Sequence, residues 1–163
     1  MKYSFQMGRL AIAGIIMAIA FLLTAPVSAK DWHELRDLDD GQLAEKISEL
    51  QKILDQNPSD YETMKGMGIA YHRMAKKTAK KYSPKAVELL TKAFEANKKD
   101  YETMCYLGSA TTIMAQTTWN PMKKMSYVNK GAALMDKASP PNCTFCDPVV
   151  TKGAHYPPFS STL

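Results

Sequence analysis

The chain has 163 residues and a formal net charge of +5, with 45% hydrophobic and 23% charged residues. That is room for one core, which excludes separate cofactor and substrate lobes, and the near-average composition excludes wholesale disorder and a polytopic membrane protein. Three cysteines are too few, and odd in number, for a disulfide-framework mini-protein.

The first nine residues carry Lys2 and Arg9 and no acid, and Leu10 to Leu23 is an unbroken apolar run of fourteen. Ala25-Pro26-Val27-Ser28-Ala29 follows, with small residues at Val27 and Ala29, where a signal peptidase reads. Basic start, short apolar middle and small-residue exit predict a secretory signal peptide over 1–29. A run of this length, at about 1.5 Å per residue, falls short of a bilayer core and argues against an uncleaved anchor. The expectation is an exported protein, periplasmic or secreted, that begins at Lys30. Cleavage would remove two of the 21 Lys and Arg and none of the 16 Asp and Glu, lowering the balance to +3. Composition then makes no case for nucleic acid, and the cysteines meet an oxidising compartment.

After a linker at 30–39, five helices are predicted, at 40–56, 60–80, 84–97, 100–117 and 121–138. Leu43, Ile47, Leu50, Ile53 and Leu54 form the stripe of the first, which Asn57-Pro58 closes. Met64, Met67, Gly68, Tyr71 and Met74 recur at helical spacing in the second, and Ser59 with Glu62 reads as its capping box. Ser83-Pro84 and Asn120-Pro121 each read as a cap before a Pro at the first helical position. No stretch alternates at period two, so the fold class is all-α.

The chain also repeats. Asp60-Tyr61-Glu62-Thr63-Met64 recurs forty residues later as Asp100-Tyr101-Glu102-Thr103-Met104. Met67-Gly68-x-Ala70 matches Leu107-Gly108-x-Ala110, and Lys85 to Ala93 matches Lys130 to Ala138. A repeat of this kind predicts stacked supersecondary units.

These residues resemble the tetratricopeptide repeat (TPR) family. Its first-helix pattern fits Met64-x2-Met67-Gly68-x2-Tyr71 and, more loosely, Met104-x2-Leu107-Gly108-x2-Thr111. Its second-helix pattern fits Ala86, Leu90 and Ala93, and nearly fits Gly131, Met135 and Ala138. The resemblance covers 40–138, although the family's period of about 34 is exceeded here, with extra residues around Thr78 to Ser83 and Thr117 to Lys124. It implies a solenoid of antiparallel helix pairs, with the first helix of each unit lining a concave groove. On this chain the groove positions are Glu62, Lys65, Ile69, His72 and Arg73, then Glu102, Cys105, Ser109, Thr112 and Ile113. Lys65, His72 and Arg73 are expected to form an exposed polar stripe there. The family's carboxylate clamp needs Asn where this chain has Ile69 and Ser109, so that ligand is not carried over.

Lys76, Lys77, Lys80, Lys81 and Lys85 form a basic cluster. It reads either as a solvated helix end, with 76/80 and 77/81 sharing helix faces, or as a surface for anionic lipid headgroups or an acidic partner.

From 139 to 163 the chain is irregular, with five Pro and two Cys. Cys143-Thr144-Phe145-Cys146 reads as a short disulfide in this tail, leaving Cys105 as a buried thiol. No His follows Cys146, which excludes c-type haem attachment, and zinc lacks ligands at the right spacing. No catalytic motif is present, and no cofactor is implied. The expected function is a non-catalytic exported scaffold that binds a protein or peptide in the groove. The alternative is a thiol or soft-metal (copper) handling protein that uses Cys143, Cys146 and the methionines.

Overall fold

The computed structural model describes residues 31–138. Within them the chain forms five α-helices and two single turns of 3-10 helix, with no strand. The helices are α1 (Asp40–Gln56), α2 (Tyr61–Ala75), α3 (Ala79–Ala96), α4 (Tyr101–Ile113) and α5 (Pro121–Ala138). The all-α expectation therefore holds for this part of the chain.

A 3-10 turn at His33–Arg36 precedes α1 and buries Trp32 and Leu35. The expected linker thus contributes to the core: the Trp32 ring lies directly against Gly66, where a Cβ would collide with it. Asp39 starts α1 with a capping box, its carboxylate accepting the Gln42 N–H while the Gln42 side chain accepts the Asp39 N–H. Leu43 and Leu50 are buried, Ile47 and Leu54 half-buried, but Ile53 is 46% exposed and lies off the packing face.

Asn57 closes α1 and Asn97 closes α3 with nearly the same backbone angles, φ/ψ of −135/85° and −140/88°. In both linkers the Asp three residues on donates its N–H to the Asn carbonyl and then caps the next helix: Asp60 to Asn57, and Asp100 to Asn97. Asp60 accepts the Thr63 N–H at 2.9 Å, and Asp100 accepts those of Glu102 and Thr103 at 2.9 and 3.2 Å. The expected box of Ser59 with Glu62 does not form, and the cap is Asp60, one position on. Ser59 instead donates to the Asn57 side chain.

The next boundary also moves. Helix α2 ends at Ala75 and α3 begins at Ala79, so Pro84 lies inside α3 rather than at its start. The first four residues of a helix have no intrahelical acceptor for their N–H groups. Pro84, five residues past Ala79, therefore forfeits one bond near the helix start, on an exposed side of the helix. The earlier start lets Tyr82 stack on Tyr71, with ring centroids 6.1 Å apart. It also buries Ser83, whose hydroxyl donates to the Ala79 carbonyl at 2.7 Å instead of capping the helix. Asn120 caps α5 as expected, accepting the Met122 and Lys123 N–H groups. The stretch predicted as helix to 117 finishes in a 3-10 turn, Met114–Thr117.

Helix α2 packs on α3 and α4 packs on α5, while α1 lies on α2 and α3 on α4. Close approach inside each pair depends on glycine. A Cβ at Gly68 would sit 2.6 Å from Leu90 Cγ, and one at Gly108 would sit 2.7 Å from the Gly131 carbonyl oxygen and 2.8 Å from Met135 Cγ. Ala86, Leu90, Ala93, Gly131, Met135 and Ala138, the positions matched between the two repeats, are all buried. Helix α4 is buried over Thr103 to Gly108 without a break, the signature of a helix covered on all sides. Among the described residues no helix is long and apolar enough to cross a membrane.

Candidate functional site

The repeated Asp-Tyr-Glu-Thr block places polar groups at the start of both α2 and α4, and these meet in a seam between the two helices. Lys65, one turn into α2, reaches Asp100 Oδ2 at 2.8 Å and Glu102 Oε2 at 2.7 Å. Asp100 also accepts the Tyr61 hydroxyl and, at 2.7 Å, that of Thr103, besides the two N–H groups it caps. One carboxylate thus ties the start of α4 to α2 and to its own backbone.

The electrostatics follow from this geometry. Burial opposes the charge on Lys65, but hydrogen bonds and the charges of Asp100 and Glu102 outweigh it and hold the ammonium well above the ordinary lysine value. Burial likewise works against the Asp100 carboxylate, while Lys65, Tyr61 and Thr103 together hold it below the usual range. Burial and the bond to Asp100 push the Tyr61 phenol up to about 12. Near neutral pH these shifts keep the Lys65 ammonium protonated, the Asp100 carboxylate ionised and the Tyr61 phenol neutral.

A second contact lies further along the same two helices. His72 is 1% exposed, with Nε2 2.9 Å from the Ser109 hydroxyl and its ring edge-on to Tyr106 at 5.4 Å between centroids. Burial, aided by the nearby charges of Lys76 and Arg73, pushes its pKa down to about 3, so the imidazole is neutral. Its Nδ1 is buried and has no hydrogen-bond partner among the described residues. At the other end, Trp32 Nε1 donates to Glu62 Oε2 at 3.1 Å, fastening the N-terminal segment to α2.

All ten predicted groove residues lie on α2 and α4, two helices in contact. Lys65, Ile69, His72, Cys105 and Thr112 are buried, and Glu62, Arg73, Glu102, Ser109 and Ile113 are half-buried. The expectation of an exposed polar stripe is corrected: Lys65 and His72 are bonded to the second unit, and Arg73 is the member with substantial exposure. The lysine cluster is exposed throughout, but it spans the turn between α2 and α3 rather than one helix. Lys76 and Lys77 follow the C-terminus of α2, where cations are favourable, whereas Lys80 and Lys81 occupy the first turn of α3, where they oppose the dipole. Lys77 pairs with Asp40 at 2.8 Å, and Lys85 lies over the Tyr71 ring.

Cys143 and Cys146, like the predicted signal peptide and tail, lie outside the described residues. Among the described residues no group of three or more His, Cys, Asp or Glu side chains is placed to hold a metal ion. Sequence reading missed Tyr61, Asp100 and Thr103 as members of the seam. Their recurrence at forty-residue spacing was the available signal, read only as a marker of register.

No family model, curated protein or solved structure matches the chain.

Proposed function

We propose that the chain is a non-catalytic, exported scaffold of TPR-like helix pairs stacked antiparallel as a short solenoid, and that it binds a protein or peptide partner. One observation carries this reading. The two units set forty residues apart make equivalent contacts: the same Asn-to-Asp linker turn, the same Asp cap, and the same glycine, Gly68 or Gly108, pressed against the matched residue, Leu90 or Met135. Repeated units that bury their faces on one another create a fixed surface, and a fixed surface binds with little ordering entropy. The Lys65 and His72 bridges make α2 and α4 one rigid wall. The groups of that wall left to meet a partner are the half-buried Arg73 and Ile113.

The test uses the processed chain, whose amino terminus is expected at Lys30, as bait against envelope extract. Wild type should retain a partner. Arg73→Glu with Ile113→Asp should release it without lowering the melting temperature by more than a few degrees, because both side chains are partly in solvent. Capture that survives this pair of changes would remove the α2–α4 surface from consideration.

A further inference from the structure

The segment leading into α5 carries the most exposed large apolar side chains of the described residues. Trp119 is 96% exposed, Met122 80% and Met125 47%. Trp119 projects from the linker between the 3-10 turn and Pro121, and Met122 and Met125 follow one helical turn apart. Gly131, nine residues after Met122, is buried against α4. At about 100° per residue, nine positions are half a revolution, so Met122 faces directly away from the core. No rotation of α5 buries Met122 without exposing Gly131 and Met135.

Along this stretch of the chain the charges have one sign. From Thr103 to Met135 the chain contains no Asp or Glu, and its charged residues are Lys123, Lys124 and Lys130. Lys124 Nζ lies 5.8 Å from the Trp119 ring centroid, which orients the indole and the ammonium together.

We propose that Trp119, Met122 and Met125, with Lys123 and Lys124, form a contact site for an anionic lipid bilayer, seating the protein peripherally on a membrane surface. Indole is suited to the headgroup level, and the two thioether side chains fit the boundary of the acyl region. Lysine stems lie along the apolar layer while their ammoniums reach lipid phosphates. The absence of acidic residues from this stretch of the chain removes from it the groups that an anionic surface repels. The site is separate from the α2–α4 wall. It differs from the Lys76–Lys85 cluster, which has charge but no large apolar side chain standing clear of the surface. A protein partner is the other class of occupant. A projecting, almost fully solvated Trp followed in the chain by lysines and no acid matches the layered chemistry of a lipid interface more closely than the recessed, desolvated aromatic of a protein hot spot.

The experiment measures sedimentation of the protein, as recovered from its host, with vesicles of equal parts phosphatidylglycerol and phosphatidylcholine, and with phosphatidylcholine alone. Tryptophan emission is recorded in parallel. Trp32 is buried and gives a constant background, so a blue shift on vesicle addition reports Trp119. Preference for the anionic vesicles with a blue shift is expected. Trp119→Ser with Met122→Ser should abolish the shift and lower partitioning by roughly tenfold, and Lys123→Gln with Lys124→Gln should lower it about as much on anionic vesicles only. All four side chains are exposed, so circular dichroism should show the fold intact. Lys80→Gln with Lys81→Gln should change nothing. The proposal is overturned if anionic vesicles are not preferred, if the Trp119 and Met122 changes leave partitioning intact, or if the Lys80 and Lys81 changes abolish it. It is equally overturned if a protein shields Trp119 and vesicles do not.

Discussion

Replacing Lys65 with Met keeps the length of the side chain and removes its charge. The Lys65 side chain is 9% exposed, and those of Asp100 and Glu102 are 13% and 20% exposed, so the change leaves two carboxylates facing each other with little water. Removing one partner of a buried pair costs about 3–5 kcal/mol. Asp100 keeps Tyr61, Thr103 and two backbone N–H groups, and Glu102 can rehydrate, which lowers the expectation to about 2–3 kcal/mol. For a folded part of this size that is a fall of roughly 10 °C in melting temperature. The pH dependence has a definite sign. The Asp100 carboxylate, depressed on folding, contributes above its unfolded value of about 3.9 and is lost as pH falls through the folded one. The Lys65 ammonium, raised on folding, contributes below its unfolded value of about 10.4 and is lost as pH rises through the folded one. The gap between wild type and Lys65→Met should therefore be flat from about pH 5 to 10 and close at both extremes. Thermal melts followed by circular dichroism across that range, with a double-mutant cycle against Glu102→Gln, test the reasoning. A shift under about 2 °C, or strictly additive effects of the two changes, would refute the seam as an energetic link between the units.

Ala at Gly108 should destabilise more than Ala at Gly68, although both changes favour helix intrinsically. A Cβ at 108 meets the backbone of α5, whereas one at 68 meets first the Leu90 side chain, which can adjust. The expected cost at Gly108 is roughly 1–3 kcal/mol in denaturant titration, and a stabilised Gly108→Ala would mean that α4 and α5 are further apart than described. His72, held neutral when folded, gains protons more readily when unfolded, so stability should fall as pH drops from about 6.5 toward 3. His72→Gln, which retains a partner for Ser109, should blunt that fall in melts between pH 7 and 4.5, and an unchanged slope would place the acid sensitivity elsewhere.

Much of the helical architecture was legible because it depends on local chemistry. The cap at Asn120, the closing Asn57-Pro58 and stripes at three- and four-residue spacing are properties of neighbours along the chain, and they placed α1, α4 and α5 within a few residues. The errors fell where local signals compete. Ser83-Pro84 is a good helix start by sequence, yet stacking of Tyr82 on Tyr71 and burial of Ser83 shift the start to Ala79, and those are contacts between α2 and α3.

The polar seam belongs to the tertiary structure in the same sense. Lys65 and Asp100 are thirty-five positions apart, and nothing in the spacing tells an exposed lysine from one enclosed by two carboxylates. The repeat gave α2 and α4 matching polar starts, and the packing of one helix on the other then decided which charges pair and which remain in water. Trp119 shows the converse: its residue type predicts burial, and only the direction in which α5 presents Gly131 to α4 leaves it outside. Periodicity therefore determined which residues form helices and where they repeat, while side-chain exposure, and with it the candidate binding surfaces, depended on distances between helices that no local pattern encodes.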